Sequence, residues 1–367
     1  MSMPYLHGGH IERAAQQAGV PADRILDFSS NINPMGLPPR AAERLVRDAQ
    51  DPHAWTRYPD PKSGELRSAL SRYAAVPPEC IVIAAGADSL IHAAVRALAP
   101  KRCVIPIPAF SEYERACQAF GCETASLPLN PEFRLPSEIS QLLRGGDLLI
   151  VNNPHNPSGA CATQIEMLEH LASARASGAA ILADEAFIDY VPEVAITRHA
   201  ATTAGVISIR SLTKFFGCPG LRVGYAVAAP DSASKVAAQL PPWPVTTLAA
   251  NTLAEALQDA DFPGQVREQN RRARESFSAA LSCLGCRVFP GAANFLLLRI
   301  PVAVSASDIR TSLLRECGIL VRECDSFAGL ELGRYLRVAI RREGENQRLV
   351  DALTHIFREV SCLQTHS

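Results

Sequence analysis

Lys214 stands in Ser211-Leu-Thr-Lys-Phe-Phe-Gly-Cys-Pro-Gly-Leu-Arg222-Val-Gly, a lysine among hydroxyl and glycine residues with an arginine eight positions on. An amine so placed can hold an aldehyde through an imine while hydroxyls and a guanidinium take a phosphate, which points to pyridoxal 5'-phosphate. Alone, Ser-x-x-Lys is short and equally suits a surface lysine between a strand and a turn. The rest of the chain decides between the two.

Three further loops follow apolar runs that read as strands, the position at which open α/β sheets place ligands. Ala84-Ala-Gly86-Ala87-Asp88-Ser89 is a strand-to-helix turn whose glycine allows close backbone approach and whose N–H groups suit a phosphate. An ordinary helix cap by Asp88 or Ser89 is the simpler use of the same residues. Asn152-Asn153-Pro154-His155-Asn156-Pro157-Ser158-Gly159 carries more turn formers than a plain turn needs. In Ala183-Asp184-Glu185-Ala186-Phe187 an acid ends an apolar strand thirty positions before Lys214. A carboxylate buried there needs a cationic partner, and a protonated pyridine nitrogen is one; a helix cap or ion pair is the alternative.

The elements that must carry these loops are legible as a period. Ile81-Val-Ile-Ala, Cys103-Val-Ile-Pro-Ile, Leu148-Leu-Ile-Val, Ala180-Ile-Leu-Ala, Val206-Ile-Ser-Ile and Val223-Gly-Tyr-Ala-Val read as buried strands. Residues 89–98, 111–120 and 163–176 between them carry apolar side chains at helical spacing. The expectation is an α/β protein with a mostly parallel sheet in a large domain over residues 41–245. Leu240-Pro-Pro-Trp-Pro-Val breaks the pattern. Helices over 247–258 and 263–284 and strands over 294–299, 319–322 and 335–340 then predict a smaller α+β domain, residues 246–367. Residues 1–40, rich in Gly, Asn and Pro, read as an ordered arm joining that domain.

Composition narrows the partners. Thirty-six Lys plus Arg against 37 Asp plus Glu leaves no global field to attract nucleic acid or an anionic membrane. Small molecules and like subunits are expected instead. Eleven cysteines are scattered through apolar stretches, and Cys283-Leu-Gly-Cys286 is the sole CxxC, without a second ligand pair, so no metal is expected. No basic segment followed by an apolar run opens the chain, and no stretch nears 18 apolar residues, which predicts a cytoplasmic protein.

Taken in order, Gly86-Ala-Asp-Ser, Asn156-Pro-Ser-Gly, Asp184-Glu-Ala-Phe, Ser211-Leu-Thr-Lys214 and Arg222-Val-Gly resemble the aspartate-aminotransferase-like superfamily of fold type I pyridoxal-phosphate enzymes. His7-Gly-Gly-His10, Asp27-Phe-Ser-Ser-Asn-Ile-Asn-Pro-Met-Gly36, Arg57-Tyr58-Pro-Asp and Tyr335-Leu-Arg337-Val-Ala-Ile-Arg341 narrow this to a resemblance to the L-threonine-O-3-phosphate decarboxylase family of cobalamin biosynthesis. Histidinol-phosphate aminotransferase, working with 2-oxoglutarate, is that family's near relative and the alternative. The resemblance implies decarboxylation of L-threonine O-3-phosphate to (R)-1-amino-2-propanol O-2-phosphate, in a homodimer with shared active sites.

It also implies roles. Lys214 would form the imine and then move protons at the substrate carbon, Asp184 would hold the pyridine nitrogen protonated, and Asn156 would donate to the ring O3'. Gly86, Ala87, Asp88, Ser211, Thr213 and Arg222 would hold the cofactor phosphate, with Tyr58 reaching over from a second subunit. Phe110 would stack on the ring, Tyr113 being the alternative. Arg337 would fork onto the substrate carboxylate beside Asn31, while Arg322, with His7, Gly8 and Gly9, would close on the substrate phosphate. Two departures stand out: His10 where the family usually has Asn, and Phe187 where aminotransferases of this group commonly carry Tyr. The second favours the decarboxylase branch.

Overall fold

A computed structural model describes residues 8–301 and 305–364. The first strand, β1 (Leu26–Asp27), belongs to the arm. Seven strands then build the central sheet: β2 (Ile81–Ala84), β3 (Arg102–Ile107), β4 (Glu123–Pro128), β5 (Asp147–Asn152), β6 (Ala180–Asp184), β7 (Val206–Ser211) and β8 (Gly224–Ala228). Their order is β2-β8-β7-β6-β5-β3-β4. All neighbours are parallel except β8, which runs against both β2 and β7. The fold is the α/β arrangement expected, a mostly parallel sheet.

Helices cover both faces because the strands are apolar on both. One face buries Leu90, Ile91 and Val95 of the helix Ala87–Leu98 with Tyr113 and Cys117 of the helix Ser111–Phe120. The other buries Met167 and Leu171 of the helix Gln164–Ala176, whose Thr163 and Glu166 form a reciprocal capping box.

The strand β4 was not foreseen. Its sequence Glu-Thr-Ala-Ser-Leu-Pro is largely exposed at the sheet edge, so it lacks the apolar run that marked the others.

The smaller unit holds β9 (Arg287–Val288), β10 (Phe295–Arg299), β11 (Ile319–Leu320), β12 (Arg322–Glu323) and β13 (Tyr335–Ala339). Four of these make an antiparallel sheet in the order β12-β13-β10-β9. Residues 319–322, expected as one strand, divide: β11 pairs parallel with β1 of the arm, and β12 pairs with β13. Val321 between them is buried, so the chain changes sheets without leaving the core. That switch ties the arm to the β12 edge of the small unit's sheet.

The packing does not change hands at the proline-rich segment before residue 246. The helix Thr247–Ala256 buries Ala249, Ala250 and Leu253 in the same cluster as Leu66, Leu70 and Tyr225 of the large unit. The helix Phe262–Cys283 contributes to two clusters. Its Phe262 and Val266 join that cluster, and Phe277 and Leu281 join the core of the small unit.

Candidate active site

Register brings the chemistry to one edge. Asn152 pairs with Asp184 at the ends of β5 and β6, and Ser211 ends β7 opposite Gly224 of β8. The loops that follow open into a cavity of about 790 Å³, lined among others by Asp184, Asn156, Lys214, Arg222, Arg322 and Arg337. Every sequence-predicted site residue within the described chain faces this cavity or braces it, except Tyr58; His7 lies outside the described residues.

At one end is an anion cradle. Gly86 has φ +88° and precedes the helix Ala87–Leu98, whose N-terminus has no side-chain cap among the described residues. A Cβ on Gly86 would lie 2.6 Å from Nη2 of Arg222. The Ser211 and Thr213 hydroxyls, both buried, lie 2.9 Å apart. Free helix N–H groups, two hydroxyls and a guanidinium are the donor set a phosphate dianion takes, so the residues present fit the phosphate of pyridoxal 5'-phosphate. Alanine at Gly86 would both occupy this space and strain a backbone that only glycine adopts readily, at about 1–3 kcal/mol. Gly86→Ala is therefore expected to weaken cofactor binding by at least about tenfold, read by titrating the apoprotein and following the bound cofactor's visible absorption.

Asp184 is buried, accepting from the Tyr113 hydroxyl at 2.5 Å and from the Ala186 N–H at 2.9 Å. Burial raises its pKa, against which the Tyr113 hydrogen bond is the largest opposing influence. Phe110 lines the cavity and meets Tyr113 edge-on, ring centroids 5.7 Å apart. Of the two candidates for the ring contact, Phe110 is the one on the cavity wall.

The asparagine-rich loop is cross-braced. Asn152 donates to the Asp184 carbonyl and accepts from the Asn156 N–H at 2.6 Å; Asn153 exchanges two hydrogen bonds with Ala162. His155 joins the Ser158 hydroxyl to the Pro108 carbonyl, and burial pushes it down to about 4, so it is neutral at physiological pH. These bonds explain why so many turn formers occur together. Their result is a fixed Asn156, whose Oδ1 accepts from Arg337 Nη1 at 2.5 Å, leaving the amide N–H groups as donors.

Arg337 is buried, its Nη2 on the Ser29 carbonyl at 2.9 Å and its Nε without a hydrogen-bond partner among the described residues. Burial lowers it to about 10. A buried guanidinium facing neutral acceptors is a site for an anion. Asn31 is buried on the same cavity, its Oδ1 likewise without a partner among the described residues. Arg322 also lines the cavity, donating to Ser326 Oγ at 2.6 Å and lying 5.5 Å above the Phe327 ring.

Gly8 and Gly9 close the arm over this wall. A Cβ on Gly8 would fall 2.2 Å from the Ser29 carbonyl oxygen, and the Gly9 N–H donates to Ser29 Oγ. His10 is exposed and absent from the cavity lining. The Ser29 hydroxyl in turn donates to buried Asp27. Neither Ser29 nor Asp27 was singled out from the sequence, since their part is to brace a backbone carbonyl.

Lys214 follows β7 in a single helical turn, Leu212–Phe215, held against the arm by the Asn33 N–H on its carbonyl and by Asn33 Nδ2 on the Phe215 carbonyl. Burial first, then the charges of Arg337 and Arg222, bring its amine down to about 8, with Asp184 opposing. Phe187 is buried edge-on to Phe295 and puts no hydroxyl on the cavity wall. Tyr58 is 80% exposed and stacks on Trp243 at 4.5 Å, outside the cavity lining.

A lysine amine lowered in pKa, an aspartate at a strand end and an anion cradle on a mostly parallel sheet define a fold type I pyridoxal-phosphate enzyme. The chain belongs to the class I and II aminotransferase family, whose sequence pattern matches residues 23–353. It is 35% identical to the threonine-phosphate decarboxylase of Salmonella typhimurium over 97% of each chain. Among solved structures, the histidinol-phosphate aminotransferase of Clostridium acetobutylicum superposes with a TM-score of 0.84 at 27% identity, covering 91% of this chain and 100% of that one. The L-threonine-O-3-phosphate decarboxylase of Porphyromonas gingivalis gives 0.80 at 27%, covering 90% and 99%. Among the described residues no helix is long and apolar enough to cross a membrane.

Proposed function

We propose that the chain decarboxylates L-threonine O-3-phosphate to (R)-1-amino-2-propanol O-2-phosphate, the cobalamin-biosynthetic reaction, in the cytoplasm. The observation that carries this reading is the likeness to the Salmonella typhimurium decarboxylase across 97% of both chains. The cavity supports it, with Arg337 and Arg322 among the arginines on its wall for a substrate that carries two anionic groups, and an apolar Phe187 where related aminotransferases place a hydroxyl.

Pyridoxal 5'-phosphate, when bound, supplies an aldehyde for the substrate amine and a ring that accepts the electron pair left by carbon dioxide. The chain supplies the rest. Ser211, Thr213, Arg222 and the Ala87 and Asp88 N–H groups would hold the phosphate; the Asp184 carboxylate would face the ring nitrogen, its charged form favoured by the Tyr113 hydroxyl; Asn156 would donate to O3'. Arg337 takes the substrate carboxylate and Arg322 its phosphate. A fixed carboxylate clamp at Arg337 would set the direction of the bond that breaks, so it would orient the substrate as well as bind it. Lys214 then delivers one proton to the substrate Cα, replacing the carboxylate that leaves as carbon dioxide.

Tyr58, exposed in the single chain, serves the cofactor phosphate of a second subunit, which makes the active unit a homodimer. The test is incubation of the holoenzyme with L-threonine O-3-phosphate. Stoichiometric carbon dioxide and aminopropanol phosphate support the assignment. Glutamate formed from histidinol phosphate and 2-oxoglutarate, without carbon dioxide from threonine phosphate, would replace it with the aminotransferase.

A further inference from the structure

Tyr113 touches two cofactor-facing residues at once. It is 2% exposed and sits in the first turn of the helix Ser111–Phe120, three residues beyond Phe110. Its hydroxyl donates to Asp184 Oδ2 at 2.5 Å, while its ring receives Phe110 at 5.7 Å and 83°. Tyr113 itself does not line the cavity. No other side-chain hydrogen bond to the Asp184 carboxylate occurs among the described residues; the second oxygen is met by the backbone N–H of Ala186.

We infer that Tyr113 is a positioning residue for the cofactor: its hydroxyl keeps the Asp184 carboxylate charged and turned to the cavity, and its ring edge sets the plane of Phe110. This rests on the pyridoxal-phosphate reading but not on the choice between decarboxylase and aminotransferase.

Burying a carboxylate disfavours its charged form, and a hydrogen bond to that form opposes the penalty. The groups acting on Asp184 are Tyr113 from its helix and the Ala186 N–H, which favour the charge, Glu185 just past the end of β6, which disfavours it, and Lys214 from the turn after β7, which favours it. Glu185 is itself occupied by the Ile196 N–H, Thr197 and Ser208. The phenol is pushed well above its usual range by burial and by Asp184, so it remains a donor throughout the working pH range. A charge-assisted bond of this kind typically supports about a tenfold difference in an equilibrium that depends on the carboxylate.

Tyr113→Phe keeps the ring against Phe110 and removes one oxygen. Titrating the apoprotein with pyridoxal 5'-phosphate should show affinity weakened by about tenfold, with the acid limb of binding moved to higher pH because Asp184 protonates more readily. The melting temperature of the apoprotein should stay within a few degrees of the parent. In an Asp184→Ala background the same change should leave affinity unaltered, since no acceptor remains. Equal losses in both backgrounds, or unchanged affinity and acid limb in the single variant, would overturn the assignment. Failure of the unmodified apoprotein to take up the cofactor at all would instead overturn the cofactor reading.

Discussion

Lys214→Ala is expected to abolish turnover, lowering kcat by at least about a thousandfold, and to remove the visible absorption of an imine while leaving the cofactor phosphate cradle intact. The reason lies in where the amine is held. Burial, Arg337 and Arg222 bring it to about 8, so at pH 7 about a tenth of it is neutral, whereas an ordinary lysine is neutral in roughly one molecule in three thousand. Arg337 and Arg222, proposed above for the substrate carboxylate and the cofactor phosphate, thus also lower the proton affinity of the amine. Carbon dioxide release and the absorption spectrum measure the two losses separately; a variant that keeps either one would contradict the assignment.

The same shift has a sign in stability. The folded pKa lies below the unfolded value of 10.5, so between about 8 and 10.5 the unfolded chain binds the extra proton. Apoprotein stability from this group should therefore rise as pH rises through that window. Lys214→Met should flatten the rise, and a thermal melt series across that pH range reads it directly.

The parts of this site that were legible in the sequence are those in which one residue type does a job few others can. Lys214, Asp184 and the asparagine loop are of this kind, because each stands at the end of an apolar strand and their order along the chain favours one shared site over separate structural uses. What escaped is what depends on reach. Tyr113 reads in sequence as one of two aromatics available to stack; only the helix that turns it inward puts its hydroxyl on Asp184. Ser29 acts through its carbonyl and through bonds to Gly9 and Asp27, which no side-chain pattern encodes.

The apolar strands carry the fold class, and two details of the strands escape for similar reasons. β4 is exposed and lacks an apolar run, and residues 319–322 are apolar enough to suggest one strand although two sheets compete for them. The helix Phe262–Cys283 changes packing partner along its length, which its amphipathic pattern does not mark.

Arg337→Lys should cost about a hundredfold in kcat/KM for L-threonine O-3-phosphate, far more than a retained charge suggests. The guanidinium holds Asn156 Oδ1 with one nitrogen and the Ser29 carbonyl with another, while Nε stays without a partner among the described residues. A single ammonium cannot meet both acceptors and a substrate carboxylate as well. Either Asn156 loses its anchor, so that its amide no longer points a donor at the cofactor, or the carboxylate loses its fork. These losses separate experimentally. The decarboxylated product has a phosphate and an amine but no carboxylate, so its inhibition constant should be nearly unchanged in Arg337→Lys if carboxylate binding is what fails. If Asn156 is the casualty, product binding weakens too and Arg337→Lys combined with Asn156→Ala costs little more than either alone. An inhibition constant and a kcat/KM that both match the parent enzyme would mean that the substrate carboxylate is held by another of the arginines on the cavity wall.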